Sequence, residues 1–221
     1  MKPTILRDRA VTPDGRPLTL HEHDGNLTIR IGGVELMSSR QHHSEERLAD
    51  LACAAIAGRS RARVLVGGLG MGFTLRRCLR CLAGDAEVVV VELVAAVVRW
   101  NREPAFGLGA DALADRRVTL VEGDVADALQ PAPCRFDAVI LDVDNGPAGL
   151  VAAGNDRLYS ARGLERARRA LQPGGVLAVW STDRDPAFAD RMRRAGFSVA
   201  VEQVGVHARG GPQAFVFLGS A

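Results

Sequence analysis

The chain opens with apolar and polar residues that alternate, which is the pattern of strands with one buried face. Within residues 16–37, an Asp-Gly-Asn turn at 24–26 separates two alternating runs, whose apolar positions are Leu18, Leu20, Leu27, Ile29 and Ile31. The turn and the alternation predict β-hairpins, and so a small antiparallel sheet of about three strands. Residues 1–15 are polar with two prolines, and we expect them to be a loosely held arm.

After residue 40 the apolar residues recur about every three and a half residues instead of every two, which is helical spacing. Ser44 is placed to cap a helix that runs through residue 57. Strand-like and helix-like segments alternate after it, at 62–67, 71–82, 86–92, 94–101, 117–122, 125–129, 136–142, 160–171, 175–181 and 186–195, and two strands at 197–204 and 213–219 close the chain. This alternation predicts an α/β fold with a doubly wound parallel sheet. We expect residues 1–40 to form a β-hairpin subdomain and residues 41–221 the α/β domain.

A glycine-rich turn follows the first strand of this α/β region. Residues 64–67 read as a buried strand, and the turn after it contains Gly68, Gly70, Met71 and Gly72. A strand, a glycine turn and a helix in this order are typical of a site for a nucleotide-like ligand, because the backbone can approach the ligand closely.

Polar residues end the next predicted strands, and carboxyl ends of parallel strands meet at one edge of a sheet. Glu92 is placed to accept both hydroxyls of a ribose, and Gly123 and Asp124 end the following strand. Asp142 and Asp144 follow the fourth strand; one is a candidate general base and the other a candidate partner for a cationic substrate. The alternative for these two is capping of the loop, which is common for Asp.

Composition narrows the class of partner and the compartment. The 28 basic and 26 acidic residues give a net charge of only +2, which argues against nucleic acid as the main partner. No apolar run predicts a membrane span or a signal peptide, so we expect a cytoplasmic protein. Four cysteines fit a reducing compartment, and the Cys78 and Cys81 pair is predicted to pack on a helix. No metal site is predicted, because the histidines lack a Cys or carboxylate at ligand spacing.

Taken together, these segments resemble the spermidine/spermine synthases, a family of polyamine aminopropyltransferases with the Rossmann-like fold of class I S-adenosylmethionine-dependent methyltransferases. The segments that carry the resemblance are the hairpins before Leu36-Met-Ser-Ser-Arg40, the turn ending Thr74-Leu75-Arg76, Val91-Glu92-Leu93, Gly123-Asp124, the run 136–142, Leu158-Tyr159-Ser160 and Leu171-Gln-Pro-Gly-Gly175. The resemblance spans nearly the whole chain.

The resemblance implies roles for individual residues. The glycine turn (Gly68, Gly70, Met71, Gly72), Glu92 with Leu93, and Gly123 with Asp124 would bind S-adenosylmethionine or its decarboxylated form as co-substrate. Asp142 would be the catalytic Asp, with Asp144 beside it in a shortened loop. The substrate amine would contact a group of residues before and on the first helix and near the middle of the chain: Gln41, His43, Glu45, Glu46 and Tyr159. The family is commonly dimeric, so the resemblance also implies a homodimer, without metal.

Two positions depart from the family pattern. Met71 stands where the family usually has an Asp that contacts the amine of decarboxylated S-adenosylmethionine, and this removes a charge that would repel the carboxylate of the intact compound. Arg40 stands where an acidic residue is usual, and it disfavours a diamine at that point.

Three hypotheses follow, in order of preference. The first is transfer of an aminopropyl group to a small-molecule amine, with release of 5'-methylthioadenosine. The second is methylation of a small molecule or protein with intact S-adenosylmethionine, favoured by Met71 and Arg40. The third is a non-catalytic protein that binds an adenosyl ligand.

Overall fold

The structure is a computed structural model that describes residues 3–129, 135–143, 156–207 and 211–221. Within these ranges it contains a four-stranded antiparallel sheet followed by a seven-stranded, mostly parallel sheet. The predicted fold class is confirmed, while the domain boundary at residue 40 stays a prediction.

The antiparallel sheet has the order β1-β2-β3-β4, with strands Ile5–Val11, Pro17–His23, Asn26–Ile31 and Val34–Ser38. The prediction of a loosely held arm at residues 1–15 is therefore wrong, because β1 lies within it. The sheet has four strands, one more than we expected. The polar side chains of β1 hid its strand character, because they are paired with partners far away in sequence. Arg7 forms an ion pair with Glu22 on β2, and Asp8 accepts a hydrogen bond from Trp100.

The seven-stranded sheet has the order β10-β11-β9-β8-β5-β6-β7. Its strands are β5 Arg63–Gly67, β6 Glu87–Glu92, β7 Val118–Glu122, β8 Phe136–Leu141, β9 Leu171–Ser181, β10 Ser198–Gly205 and β11 Gln213–Ser220. The pairs β5–β6, β5–β8, β6–β7 and β8–β9 are parallel, and β11 runs antiparallel to both of its neighbours. The chain order reverses between β5 and β8, which is where ligands bind in sheets of this type.

Helices cover both faces of this sheet. They are α1 His43–Ala55, α2 Phe73–Cys81, α3 Ala95–Arg102, α4 Ala110–Leu113, α5 Val125–Ala128, α6 Asp156–Tyr159, α7 Ala161–Ala170 and α8 Pro186–Arg194, with a 3₁₀ turn at Pro104–Phe106. The short helices α4 and α6 and the 3₁₀ turn were not predicted, because three or four residues are too few to show a helical period, whereas the equally short α5 was predicted. Two buried apolar clusters lie on opposite faces, centred on side chains such as Val64 and Ile140 on one face and Leu65 and Val139 on the other.

The predicted cap of α1 is wrong in its detail. His42 precedes the helix and makes no side-chain cap, whereas the Ser44 hydroxyl donates to the carboxylate of Glu45 at 2.5 Å. No described helix is long and apolar enough to cross a membrane. Cys78 packs in the core as predicted, whereas Cys81 is exposed, and Cys134 lies outside the described residues.

Candidate active site

A cavity of about 480 Å³ lies at the carboxyl ends of the parallel strands. Its floor consists of the ends of β5, β6, β7, β8 and β9, and its roof includes side chains of the antiparallel sheet. The polar residues that end successive strands are therefore brought together, as parallel strands require.

The glycine turn is held in a conformation that only glycine adopts without strain. Gly68 has φ of +89°, and a Cβ there would lie 2.2 Å from the carbonyl oxygen of Asp142. Gly72 has φ of +81° and precedes α2 directly. Of the predicted turn residues, Gly68, Gly70 and Met71 line the cavity, whereas Gly72 shapes the turn from behind.

Asn101 is a positioning residue that the sequence did not reveal. Its buried side-chain amide donates to the carbonyl of Gly70 at 2.8 Å and accepts from the backbone N–H of Gly109 at 2.8 Å. The amide thereby fixes the glycine turn to the segment that leads into α4. A polar residue at a buried position of a predicted helix was the one available signal.

Glu92 ends β6, is buried, and ties that strand to the glycine turn. One carboxylate oxygen accepts from the backbone N–H of Leu69 and the other from that of Val94, both at 2.8 Å. A carboxylate oxygen can accept more than one hydrogen bond, so Glu92 can still receive ribose hydroxyls from the cavity side. These backbone bonds fix the carboxylate before any ligand binds.

The predicted residues after Glu92 also reach the cavity. Leu93, Gly123 and Asp124 all line it, and the Gly123 N–H donates to the carbonyl of Glu92 at 2.9 Å. Asp124 caps α5 by accepting from Ala126 at 2.8 Å, and it faces the guanidinium of Arg157 at 3.5 Å. Asp124 therefore both caps α5 and lines the cavity.

Asp142 follows β8 and is held at the centre of the cavity floor. Its N–H donates to the carbonyl of Gly67 at 2.8 Å, and its carboxylate accepts from the hydroxyl of Thr74 at 2.5 Å. Burial, followed by repulsion from the Glu45 carboxylate, raises the pKa of Asp142 to about 7, while the Thr74 hydrogen bond lowers it. A carboxyl group with this pKa exchanges a proton readily at neutral pH.

Glu45, in the first turn of α1, is the predicted substrate residue that reaches the cavity. Burial raises the pKa of Glu45, although the hydrogen bond from Ser44 opposes that shift. Among the described residues neither Glu45 nor Asp142 has a cationic partner. Two neighbouring carboxyl groups that repel each other, neither of them paired with a cation among the described residues, favour a ligand that brings positive charge.

The other predicted substrate residues do not line this cavity. Gln41 is exposed beside β4, His43 begins α1, and Glu46 faces the ring of His42 at 3.3 Å. Tyr159 is buried against Phe188, with its hydroxyl 3.5 Å from the carbonyl of Val143. The substrate roles of these four residues stay predictions, and Asp144 lies outside the described residues.

Several apolar side chains complete the lining. Met37 lies over the turn, with its sulfur 3.3 Å from where a Cβ at Gly70 would be. Phe73 lines the cavity and its ring stacks on His42 at a centroid distance of 4.5 Å, and buried Met71 lines it next to Gly70. Trp180 also lines the cavity, near the end of β9. Its indole nitrogen is buried and has no hydrogen-bond partner within the described ranges.

No group of three or more His, Cys, Asp and Glu side chains among the described residues is arranged to hold a metal ion.

One protein family and several known proteins are similar to this chain. Residues 41–189 match the family model of the spermine/spermidine synthase domain. The chain is 32% identical over 151 residues to a polyamine aminopropyltransferase of Mycobacterium tuberculosis, which covers 67% of this chain and 27% of that protein. It is 35% identical over 145 residues to polyamine aminopropyltransferase 2 of Pseudomonas aeruginosa, which covers 61% of this chain and 39% of that protein. The chain thus spans less than half the length of these two relatives.

The fold has a counterpart among solved structures. The spermidine synthase of Thermotoga maritima superposes with a TM-score of 0.77 over 97% of this chain and 72% of that one, at 17% sequence identity. At that identity the likeness concerns the fold alone.

Proposed function

Because the chain belongs to the spermine/spermidine synthase family, we propose that it transfers an aminopropyl group from decarboxylated S-adenosylmethionine to an amine. The observation that carries the proposal is Asp142, a half-buried carboxyl group with a pKa of about 7 and no cationic partner among the described residues, in one cavity with Glu92 and the glycine turn. A group of this kind suits the removal of one proton from an amine at neutral pH.

The cavity offers partners for each part of the donor. Glu92 would accept the ribose hydroxyls, and Gly123 and Asp124 would contact the adenine. The aminopropyl arm would then extend along the glycine turn toward Asp142, which directly follows the neighbouring strand β8. In this orientation the sulfonium would lie between the glycine turn and the carboxylates of Glu45 and Asp142.

The reaction needs little from the protein beyond orientation and one proton transfer. An alkylammonium has a pKa of about 10, so the acceptor must lose a proton before it attacks. Asp142 would take that proton. The amine lone pair then forms the new N–C bond at the propyl carbon next to sulfur, and the C–S electron pair returns to sulfur. The sulfonium becomes the neutral thioether 5'-methylthioadenosine, which leaves.

Met71 bears on the choice of donor. Because no carboxylate stands at this buried position, intact S-adenosylmethionine meets less repulsion there than a carboxylate would impose. This supports methyl transfer as a second candidate function.

Product analysis separates the two functions. The purified chain is incubated with amines and either decarboxylated or intact S-adenosylmethionine, and nucleoside products are separated by chromatography. We expect 5'-methylthioadenosine from the decarboxylated compound and no S-adenosylhomocysteine from the intact one. Asp142→Asn should abolish product while nucleoside affinity stays within a few-fold, and Glu92→Ala should mainly weaken nucleoside binding. Formation of S-adenosylhomocysteine would instead establish the methyltransferase.

We also propose that the protein is a cytoplasmic homodimer. Exposed apolar side chains on the edge strands of the antiparallel sheet support the dimer: Ile5 and Val11 on β1, and Val34 on β4. The free thiols Cys53, Cys78 and Cys81 fit a reducing compartment. Sedimentation velocity of the chain and of a Val11→Lys, Val34→Lys variant tests the dimer, which should dissociate in the variant.

A further inference from the structure

Three cysteine side chains meet where helices α1 and α2 pack against each other. Cys53 lies on α1, and Cys78 and Cys81 lie one helical turn apart on α2. The Cys53 thiol forms hydrogen bonds with the thiols of both Cys78 and Cys81. The three sulfur atoms therefore form one cluster, although β5 and the glycine turn separate the two helices in the sequence. The fourth cysteine, Cys134, lies outside the described residues.

An ion pair fixes the same contact between the two helices. Asp50 on α1 accepts a hydrogen bond from the Nε of Arg77 at 2.5 Å and one from the Cys81 thiol at 3.5 Å. Residues three positions apart on a helix lie on the same face, so Asp50 and Cys53 both face α2. The Cys81 sulfur is thus held against the face of α1 that carries Cys53.

The three thiols differ in access to solvent and in proton affinity. Cys78 is fully buried, Cys53 is 7% exposed, and Cys81 is exposed at the end of α2. The hydrogen bond with Cys78, against the effect of burial, lowers the pKa of Cys53 below its usual value. The hydrogen bond with Cys53, and next burial, raises the pKa of Cys78, and burial raises the pKa of Cys81 to about 11. Because the thiolate is the reactive form of cysteine, Cys53 is the nucleophile of the cluster.

From this arrangement we infer that Cys53 and Cys81 form a reversible disulfide between α1 and α2, with hydrogen peroxide as the oxidant. The Cys53 sulfur attacks one peroxide oxygen and the O–O bond breaks, which leaves a sulfenic acid on Cys53 and one water molecule. The Cys81 sulfur then attacks the sulfenic sulfur, and the hydroxyl group leaves with the Cys81 proton as a second water molecule. A thiol reductant reverses the reaction. Transient disulfides of this kind are the ones found in reducing compartments.

The disulfide is placed to act on the cavity, because both helices begin at the cavity and end near the thiols. Glu45 in the first turn of α1 and Phe73 at the start of α2 line the cavity, and Thr74 on α2 donates a hydrogen bond to Asp142. An S–S bond of about 2.05 Å is shorter than a hydrogen bond between thiols, so the disulfide draws the far ends of the helices together. We expect this movement to reach the glycine turn, which leads directly into α2, and to weaken nucleoside binding.

Peroxide treatment of the reduced, purified chain tests the disulfide. We expect the loss of two of the four thiols, an intact mass lower by two hydrogens, a peptide that joins Cys53 to Cys81, and full recovery with dithiothreitol. Cys53→Ser and Cys81→Ser should not form the disulfide, whereas Cys134→Ser is the matched control and should form it as the parent does. A disulfide through Cys78 or Cys134, a disulfide between two chains, or oxidation to sulfinic acid without any disulfide overturns the inference.

Calorimetry with 5'-methylthioadenosine tests the coupling to the cavity, and it requires no turnover. The oxidised parent should bind the nucleoside about tenfold more weakly than the reduced parent, and dithiothreitol should restore the affinity. Cys81→Ser, whose fold is verified by thermal unfolding, should bind equally well before and after peroxide treatment. If the disulfide forms and the affinity stays the same, the coupling is wrong. If neither form of the parent binds the nucleoside, the proposed function is wrong, while the disulfide stands on the mass and the thiol count.

Discussion

At the scale of single residues, the proposed proton transfer depends on how Glu45 and Thr74 set the proton affinity of Asp142. Glu45 acts to raise the pKa of Asp142, and the Thr74 hydroxyl acts to lower it. The two neighbours therefore give opposite expectations for a pH profile, which a purely structural role would not produce.

Replacing Glu45 by Gln should move the pH dependence of catalysis to lower pH. Asp142 must be ionised to accept a proton, so kcat/KM should rise with pH through about 7 in the parent enzyme. Glu45→Gln removes the repulsion, so the midpoint of this rise should fall. Glu87→Gln is the control, because Glu87 pairs with Arg63 on the sheet and does not line the cavity. A midpoint that stays the same in both variants contradicts the role given to Glu45.

Replacing Thr74 by Val should move the same midpoint upward. The two side chains are nearly isosteric, and Thr74 is buried at the start of α2. Valine cannot donate a hydrogen bond to the ionised carboxylate. The loss of the Thr74 hydrogen bond therefore favours the protonated form of Asp142. The pH–rate profile of Thr74→Val, with thermal unfolding to verify the fold, checks this. A fall in midpoint would show that the hydroxyl does not stabilise the ionised form.

At the scale of elements, the site depends on how α3 holds the glycine turn. Asn101→Leu should leave the Gly70 carbonyl and the Gly109 N–H without their side-chain partner. Each group left unpaired costs roughly 1–3 kcal/mol of folding free energy, and a loosened turn should weaken binding of 5'-methylthioadenosine. Denaturant unfolding and calorimetry measure the two effects. Asn26→Ala, in a hairpin turn outside the cavity lining, should lower stability without lowering nucleoside affinity. Equal affinities in the two variants would argue against the role of Asn101.

The same scale explains what the sequence could predict. Glu92, Asp124 and Asp142 were predictable because each polar residue ends an apolar run, and parallel strands bring such ends to one edge. The roles of Asn101 and Trp180 could not be predicted. The position of Asn101 depends on how α3 packs against the glycine turn, and that of Trp180 on how β9 lies beside the cavity. Strand β1 was hidden because its Asp8 finds a partner 92 positions away, which no local pattern encodes.

At the scale of the whole molecule, the cavity exists because the antiparallel sheet covers the strand ends of the larger one. Asp8 links the antiparallel sheet to helix α3, which packs beside β6: it accepts from the indole N–H of Trp100 at 2.6 Å and from the guanidinium of Arg99 at 2.7 Å. Hydrogen bonds from Arg99, and next from Trp100, hold the pKa of Asp8 below its usual value. Asp8 therefore favours the folded state above the unfolded pKa of about 4, and this contribution is lost as pH falls through the lowered value.

Removing this link should destabilise the protein through Trp100 more than through Arg99. Asp8→Ala leaves the N–H of a fully buried indole without its partner, which costs roughly 1–3 kcal/mol. Arg99→Ala removes only an exposed ion pair, worth about 1 kcal/mol or less, and keeps the Trp100 bond. In denaturant unfolding at pH 7, Asp8→Ala should have a lower free energy of unfolding than Arg99→Ala. Asp8→Ala should also bind 5'-methylthioadenosine more weakly, because Asp8 anchors the antiparallel sheet that covers the cavity. If the two variants lose the same stability, the exposed ion pair and not the buried indole joins β1 to α3.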